Sequence, residues 1–325
     1  RSNDQNGSKG GGAMKATVFI LAILCFTSTG QVVHAAPSPA EFVLSIGVRD
    51  YPLERNALNA SDAGALVIQR AVSTALVENS NKTGSSASEP DHAIHMRLAD
   101  KLEVSADYKR WAFRVLSSAQ HSNGQAVDGI DVVASVERCR ALGQLPHVES
   151  ISHRRVDPHN GRHAEEWVDF TLNLPVSRAD SLPIVHEFSN QLAQCPIFSG
   201  TALKGFGADF GYAANIVGPG DYMIDDVRGS REIRLTKVSS SLAPASSPAA
   251  LILRAFPSDS AALATLRSGG IDLFVGAGAE VVALASRDET LAIAECQGFT
   301  VIKRHDLQFS CLPQLNLRGV AYPQR

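Results

Sequence analysis

A chain of 325 residues, 44% hydrophobic and 19% charged, is long enough to bury one or two cores and too apolar for general disorder. Thirty Lys and Arg stand against 33 Asp and Glu, a net charge of −3. That balance leaves no large basic footprint, and no Lys/Arg run is interleaved with aromatics, so no nucleic-acid partner is expected.

Residues 1–13 are polar and glycine-rich, lack apolar periodicity and precede Met14. They are set aside from the fold as extraneous or disordered. Met14 and Lys15 open a basic region, an apolar run follows from Ala16 to Phe26, and Val33-His34-Ala35 supplies an A-x-A-like cleavage site. Residues 14–35 therefore read as a secretory signal peptide. The apolar run is about 11 residues, short of the about 20 that span a bilayer. Leu24 is too large for the position before a lipid-modified Cys25. Export implies an oxidising compartment and leaves Cys139, Cys195, Cys296 and Cys311. Four thiols allow three full pairings, between which the spacing does not choose, and buried free thiols stay open as well. No C-x-x-C pair occurs, which argues against a zinc ribbon.

Phe42–Val48 reads as a buried strand. Asp62–Leu76 reads as a helix capped by Ser61 or Asp62, with apolar residues at Leu66, Ile68, Val72 and Leu76. A loop rich in Asn, Ser and Gly follows from Asn79 to Pro90. Leu102–Val104 and Arg110–Leu116 read as paired strands joined by the polar turn Ser105–Lys109. Asp128–Ala141 is a second helix, and Trp167–Leu174 alternates in the strand period. Ser181–Gln194 reads as a helix and Tyr222–Lys237 as a hairpin turning at Arg228–Ser230. Ser239–Pro248 is a loop, Leu251–Phe256 a strand, Ser258–Ser268 a helix stopped by Gly269-Gly270, and Ile271–Val275 another strand. Strands interleaved with helices point to an α/β or mixed α+β domain.

From His95 onward the order of motifs resembles the family 5 extracellular solute-binding proteins of peptide and nickel ABC transporters. Leu98-Ala99 leading into a strand that ends Val104-Ser105 is similar to the family's opening strand, and Trp111-Ala112-Phe113-Arg114-Val115 to the strand after it. Ser122-Asn123-Gly124-Gln125-Ala126-Val127 stands at the family's turn, and Asp131–Arg138 resembles its aspartate-valine-valine helix. Gly218-Pro219-Gly220-Asp221-Tyr222 resembles its Gly-Thr-Gly-Pro-Tyr turn. Ala261–Asp272 resembles its leucine helix and Ser-Gly-Glu-Ile-Asp strand, and Leu315-Asn316-Leu317 a strand returning across the hinge. The departures are Gly220-Asp221 for Gly-Pro, Asn123 for Asp and Gly270 for Glu.

The resemblance implies a periplasmic-binding-protein-like lobe, a mixed sheet with flanking helices. Residues 36–275 would form the first lobe and residues 276–325 the start of a hinge or second lobe, which is largely absent because family members are longer. It implies a periplasmic monomer that captures a peptide or similar small solute, closes about a hinge and docks on an ABC transporter permease. One lobe alone holds half of the closing contacts, so this chain by itself is expected to bind poorly. In the family the loop after the first strand faces the solute. Here that loop is Arg49–Asp62, with Asp50-Tyr51-Pro52 in place of Leu-Asp-Pro. Tyr51, Arg55 and Asn59 are the candidate ligand-binding residues, as a stacking surface and polar donors. Asn59-Ala60-Ser61 and Asn81-Lys82-Thr83 fit the glycosylation sequon, which matters only in a eukaryotic source.

Two other readings stay open. One is capture of a metal or metal complex, as in nickel-type members. His153, His159 and His163 lie close together, and His92 and His95 are three apart. The turn Asp157–Gly161 better suits solvated histidines, so no resident metal or cofactor is expected, and the missing H-E-x-x-H argues against a zinc hydrolase. The other is a degenerate one-lobe envelope protein without transport function. No enzyme is expected. Gly205, Gly207 and Gly211 lack the G-x-G-x-x-G spacing, and neither a nucleophile elbow nor a Walker loop occurs.

Overall fold

The structure, a computed structural model, describes residues 42–49, 62–79, 94–157, 164–175, 178–212, 215–229, 231–239, 243, 247–296, 299–310 and 316–321. All belong to the unit Ala36–Arg325. The chain runs from β1 (Val43–Val48) through α1 (Ala63–Val72) to the short strands β2 (Thr74–Ala75), β3 (Val77–Asn79) and β4 (Ile94–Met96). It continues as β5 (Ala99–Val104), β6 (Arg110–Val115), α2 (Gly129–Ala141), β7 (Val148–Val156), β8 (Glu165–Leu172), α3 (Arg178–Leu192), β9 (Pro196–Ile197) and α4 (Gly200–Phe206). Next come β10 (Tyr222–Arg228), β11 (Glu232–Lys237), β12 (Ala250–Ala255), α5 (Asp259–Arg267), β13 (Leu273–Val275) and α6 (Ala279–Ala285). The last elements are β14 (Leu291–Cys296), β15 (Phe299–Arg304), β16 (Gln308–Ser310) and β17 (Asn316–Ala321).

β1 is a near-continuous apolar run because it is covered on both faces. It lies at the centre of a seven-stranded sheet ordered β10-β11-β12-β1-β13-β15-β14. β1 is parallel to β12 and to β13, and the outer pairings are antiparallel, so the sheet is mixed. Period-2 alternation sends Leu273, Val275 and Val301 to the face covered by Val67 and Ile68 of α1. Phe274 and Ile302 point to the opposite face, against Leu263 and Leu266 of α5 and Val281 of α6. β15 and β14 extend the sheet beyond residue 275, pairing with β13 and with each other. Leu291 of β14 and Ile302 of β15 are buried with residues of α5 and α6.

A second core lies between a four-stranded antiparallel sheet, β5-β6-β8-β7, and helices α2 and α3. Trp111, Phe113, Phe170 and Phe188 meet there at centroid distances of 5.5–6.3 Å. Cys139 of α2 is bonded to Cys195, which selects one of the pairings left open above; Cys296 is disulfide-bonded too. The chain enters and leaves this core side by side, through the antiparallel pair β2 and β9.

Local signals set most boundaries. Asp62, Asp128, Ser199 and Ser258 each accept a backbone N–H and start α1, α2, α4 and α5. The helix expected through Leu76 stops at Val72. Gly220 donates its N–H to the Val72 carbonyl at 3.1 Å, and Thr74 and Ala75 pair with Ile197 and Pro196. A side chain at Gly220 would collide with the Val72 backbone, so the Gly218–Tyr222 turn depends on glycine where it approaches the end of α1.

Candidate functional site: the crevice at the carboxyl ends of the parallel strands

The chain leaving β1 passes to α1 on one face of the sheet, and the chain leaving β12 passes to α5 on the other. Adjacent parallel strands whose connections part in this way open a crevice beyond their carboxyl ends, where α/β proteins bind ligands. Here the residues at that position are Arg49 after β1, Phe256 to Asp259 after β12, and Gly276 to Gly278 after β13.

Three interactions shape its floor. Ser258 caps α5 through its hydroxyl, which accepts the Ala261 N–H at 3.2 Å. Asp259, the first residue of α5, accepts the Gly278 N–H on Oδ2 at 2.8 Å and so ties the start of α5 to the start of α6. Its Oδ1 is buried and accepts no hydrogen bond. Arg49 Nε stands 3.7 Å from that oxygen, and the Arg49 side chain is 64% exposed against 14% for Asp259. Gly276 has φ +81° and lies against Ala63 at the start of α1. Positive φ without strain requires glycine there.

Tyr51, Arg55 and Asn59 lie outside the described residues. They fall between Arg49 and Asp62 in the sequence, and the Asp62 carboxylate accepts the Ala65 N–H at 2.8 Å. Asp259 was missed by sequence reasoning. Its local signal is the capping pair Ser258-Asp259 after an apolar strand. Its contact with Arg49 depends on the parallel pairing of β1 with β12, which no local pattern reveals.

His153 is on β7 with Nε2 3.8 Å from Glu166 Oε2, His95 is on β4, and His92, His159 and His163 lie outside the described residues. Among the described residues no group of three or more His, Cys, Asp or Glu could hold a metal. Gly205 and Gly207 belong to the end of α4 and the turn after it, not to a strand-to-helix loop that could cradle phosphate. Tyr222 closes the Gly-rich turn. Burial, with Asp221 beside it, pushes its hydroxyl well above the usual tyrosine range, and it donates to the Pro248 carbonyl at 2.9 Å.

The family model described as "Bacterial extracellular solute-binding proteins, family 5 Middle" matches residues 93–304, well over half of the chain. Curated protein sequences yield no match. Among solved structures, the chain is similar to the binding protein MoaA in complex with mannopinic acid from A. tumefaciens R10. Identity is 19%, TM-score 0.57, with 79% of this chain and 50% of that one covered. It is similar to NikZ from Campylobacter jejuni in complex with Ni(L-His), at 16% identity and TM-score 0.56, covering 80% and 47%. It is similar to the ABC transporter-associated periplasmic binding protein DppA from Helicobacter pylori in complex with peptide STSA, at 18% identity and TM-score 0.54, covering 79% and 51%. At these identities the likeness shows the fold, and the chain spans about half the length of each structure. The motif order, the mixed sheet with helices on both faces and the match over residues 93–304 converge: the chain belongs to the bacterial extracellular solute-binding proteins of family 5.

Proposed function

We propose that this chain supplies one wall of a solute-binding cleft, in the capture component of an ABC importer that takes up peptides or similar small solutes. The observation that carries this reading is the parallel pairing of β1 with β12 and β13, a topological switch point at whose carboxyl ends ligands bind, in a chain whose family is one of solute-binding proteins. Tyr51, Arg55 and Asn59, in the segment between Arg49 and Asp62, belong to the reading as proposed solute contacts, Tyr51 by stacking and the other two by donating hydrogen bonds. Binding with closure, and not catalysis, is the task. A solute bridging two walls favours the closed form by its differential affinity for it. Residues 14–35 direct the protein to the periplasm, where the closed form, a monomer, docks on the permease.

Peptides lead the solute classes, with DppA and its peptide as the structural likeness. Nickel–histidine complexes and opines, the ligands of NikZ and MoaA, come next. The test is native mass spectrometry of the full gene product purified from the periplasm without denaturation, followed by thermal shifts with peptides, nickel–histidine and opines. A small solute that co-purifies, and that raises the melting temperature when added back, supports the reading. A product with no bound solute and no shift with any of the three classes overturns it.

A further inference from the structure

We propose that Arg49 is the carboxylate anchor of the crevice, so that the captured solute presents a carboxylate to the end of β1. This rests on the solute-capture reading and names the chemistry that the described wall selects. Arg49 is the first residue beyond the central parallel strand, and its side chain is 64% exposed. Its nearest anion, Asp259 Oδ1, is 3.7 Å from Nε, beyond hydrogen-bonding distance. Among the described residues the two terminal guanidinium nitrogens have no partner. Those nitrogens form the edge that pairs with a carboxylate through two parallel hydrogen bonds.

Asp259 does not cancel this site; it orients it. Its Oδ2 is committed to the Gly278 N–H, and its Oδ1 is buried, so the carboxylate faces the Nε side of Arg49 and is closed to solute. Among the described residues, three acidic groups near these strand ends are each matched to a helix start: Asp62 caps α1, Asp259 opens α5 and Glu280 sits in the first turn of α6. Helix N-termini offset such charges locally. Arg49 pairs with Asp259 through Nε alone, so among the described residues its two terminal nitrogens stay open on this wall, and a solute carboxylate satisfies them.

The experiment uses two probes, a tryptic peptide pool and the same pool with every carboxyl converted to the amide. Thermal shift and titration calorimetry compare them on the full gene product, as wild type, as Arg49→Met and as Arg49→Lys. Arg49 is exposed, so both variants should stay folded, and a cooperative ligand-free melting transition in each shows that they do. The expected result is binding of the acid pool at least tenfold tighter than the amide pool. Arg49→Met abolishes that preference and Arg49→Lys keeps part of it. Equal binding of both pools overturns the anchor while leaving solute capture standing, as does an acid preference that survives in Arg49→Met. Binding of neither pool removes the peptide-capture reading itself, and the anchor with it.

Discussion

His121 and Asp131 face each other in the interior, Nε2 to Oδ2 at 2.8 Å, with 1% and 7% of each residue exposed. Asp131 also accepts the Gly200 N–H at 2.7 Å and the Asp128 N–H at 3.1 Å. One carboxylate thereby joins the turn at His121, the start of α2 and the start of α4. Ser135, one turn along α2, repeats the bridge by accepting the Phe198 N–H at 2.9 Å.

This makes Asp131 a pH-linked element of stability. Burial raises its carboxyl, but hydrogen bonds from His121, Gly200 and Asp128 outweigh burial and hold it below the usual carboxylate range. A folded-state value below the unfolded one adds stability that is present above the unfolded value and is lost as pH falls through the folded one. Urea unfolding should therefore show Asp131→Asn less stable than wild type at pH 7 by roughly 3 kcal/mol, since buried donors lose a charged acceptor. The gap should narrow below about pH 4. A gap that is constant with pH assigns the loss to packing instead.

Much of this arrangement was legible beforehand. The helix over Asp128–Ala141, the hairpin turning at Arg228–Ser230 and the buried strand at Phe42–Val48 each follow from spacing and caps within a short window. The crevice was not legible, because it exists only where residues 43–48 pair in parallel with residues 250–255 and 273–275. Local periodicity carries no record of a partner some two hundred residues away. The early stop of α1 has the same origin: apolar spacing runs on to Leu76, but Gly220 takes the carbonyl of Val72 and β9 takes the next residues. The place of β14 and β15 in the sheet is likewise a matter of long-range pairing.

Gly220 and Gly205 form a matched pair of tests. A Cβ at Gly220 strikes the backbone of Val72 and Ser73, whereas one at Gly205 meets nothing within 4 Å. Gly220→Ala should cost roughly 3 kcal/mol through overpacking that backbone cannot relieve. Gly205→Ala, inside α4, should gain about 0.5–1 kcal/mol by helix propensity. Chemical denaturation of both variants measures the contrast, and equal effects would show that the turn at Gly218–Tyr222 does not seat on α1 as described.

Trp167 is buried beneath two cations, Arg154 at 4.7 Å and Lys101 at 5.0 Å from the ring centroid, and its Nε1 donates to Glu165 Oε2 at 3.0 Å. Their aliphatic stems and charges cover an aromatic ring on a sheet face. Replacing both by alanine should lower stability by about 1–2 kcal/mol. In a Trp111→Phe background, where Trp167 is the remaining tryptophan, the double change should also red-shift emission and open the ring to acrylamide. Unchanged quenching would place some other group over the ring.

The core between the four-stranded sheet and helices α2 and α3 is drawn almost wholly from Leu76 to Ile197. Its strands pair among themselves, its entry and exit strands pair with each other, and the Cys139–Cys195 bond closes a loop with a sequence separation of 56. A segment with its own core and adjoining ends has what independent folding requires. A fragment of residues 73–198 should therefore unfold cooperatively by itself. In the chain-entropy account, a loop of this length makes the oxidised form more stable than a Cys139→Ala/Cys195→Ala form by about 4 kcal/mol. Circular dichroism and urea titration of the fragment, oxidised and reduced, measure both points. The fragment gives up the contacts that cross to the other core: the Asp131 bond to Gly200, the Ser122 N–H to the Gly218 carbonyl at 2.9 Å, and the Arg97 ion pair with Asp221 at 3.7 Å. It should therefore be less stable than the same segment within the chain, and the difference measures how firmly the two cores are joined. A fragment without a cooperative transition, even when oxidised, would mean that this core is completed only by the seven-stranded sheet.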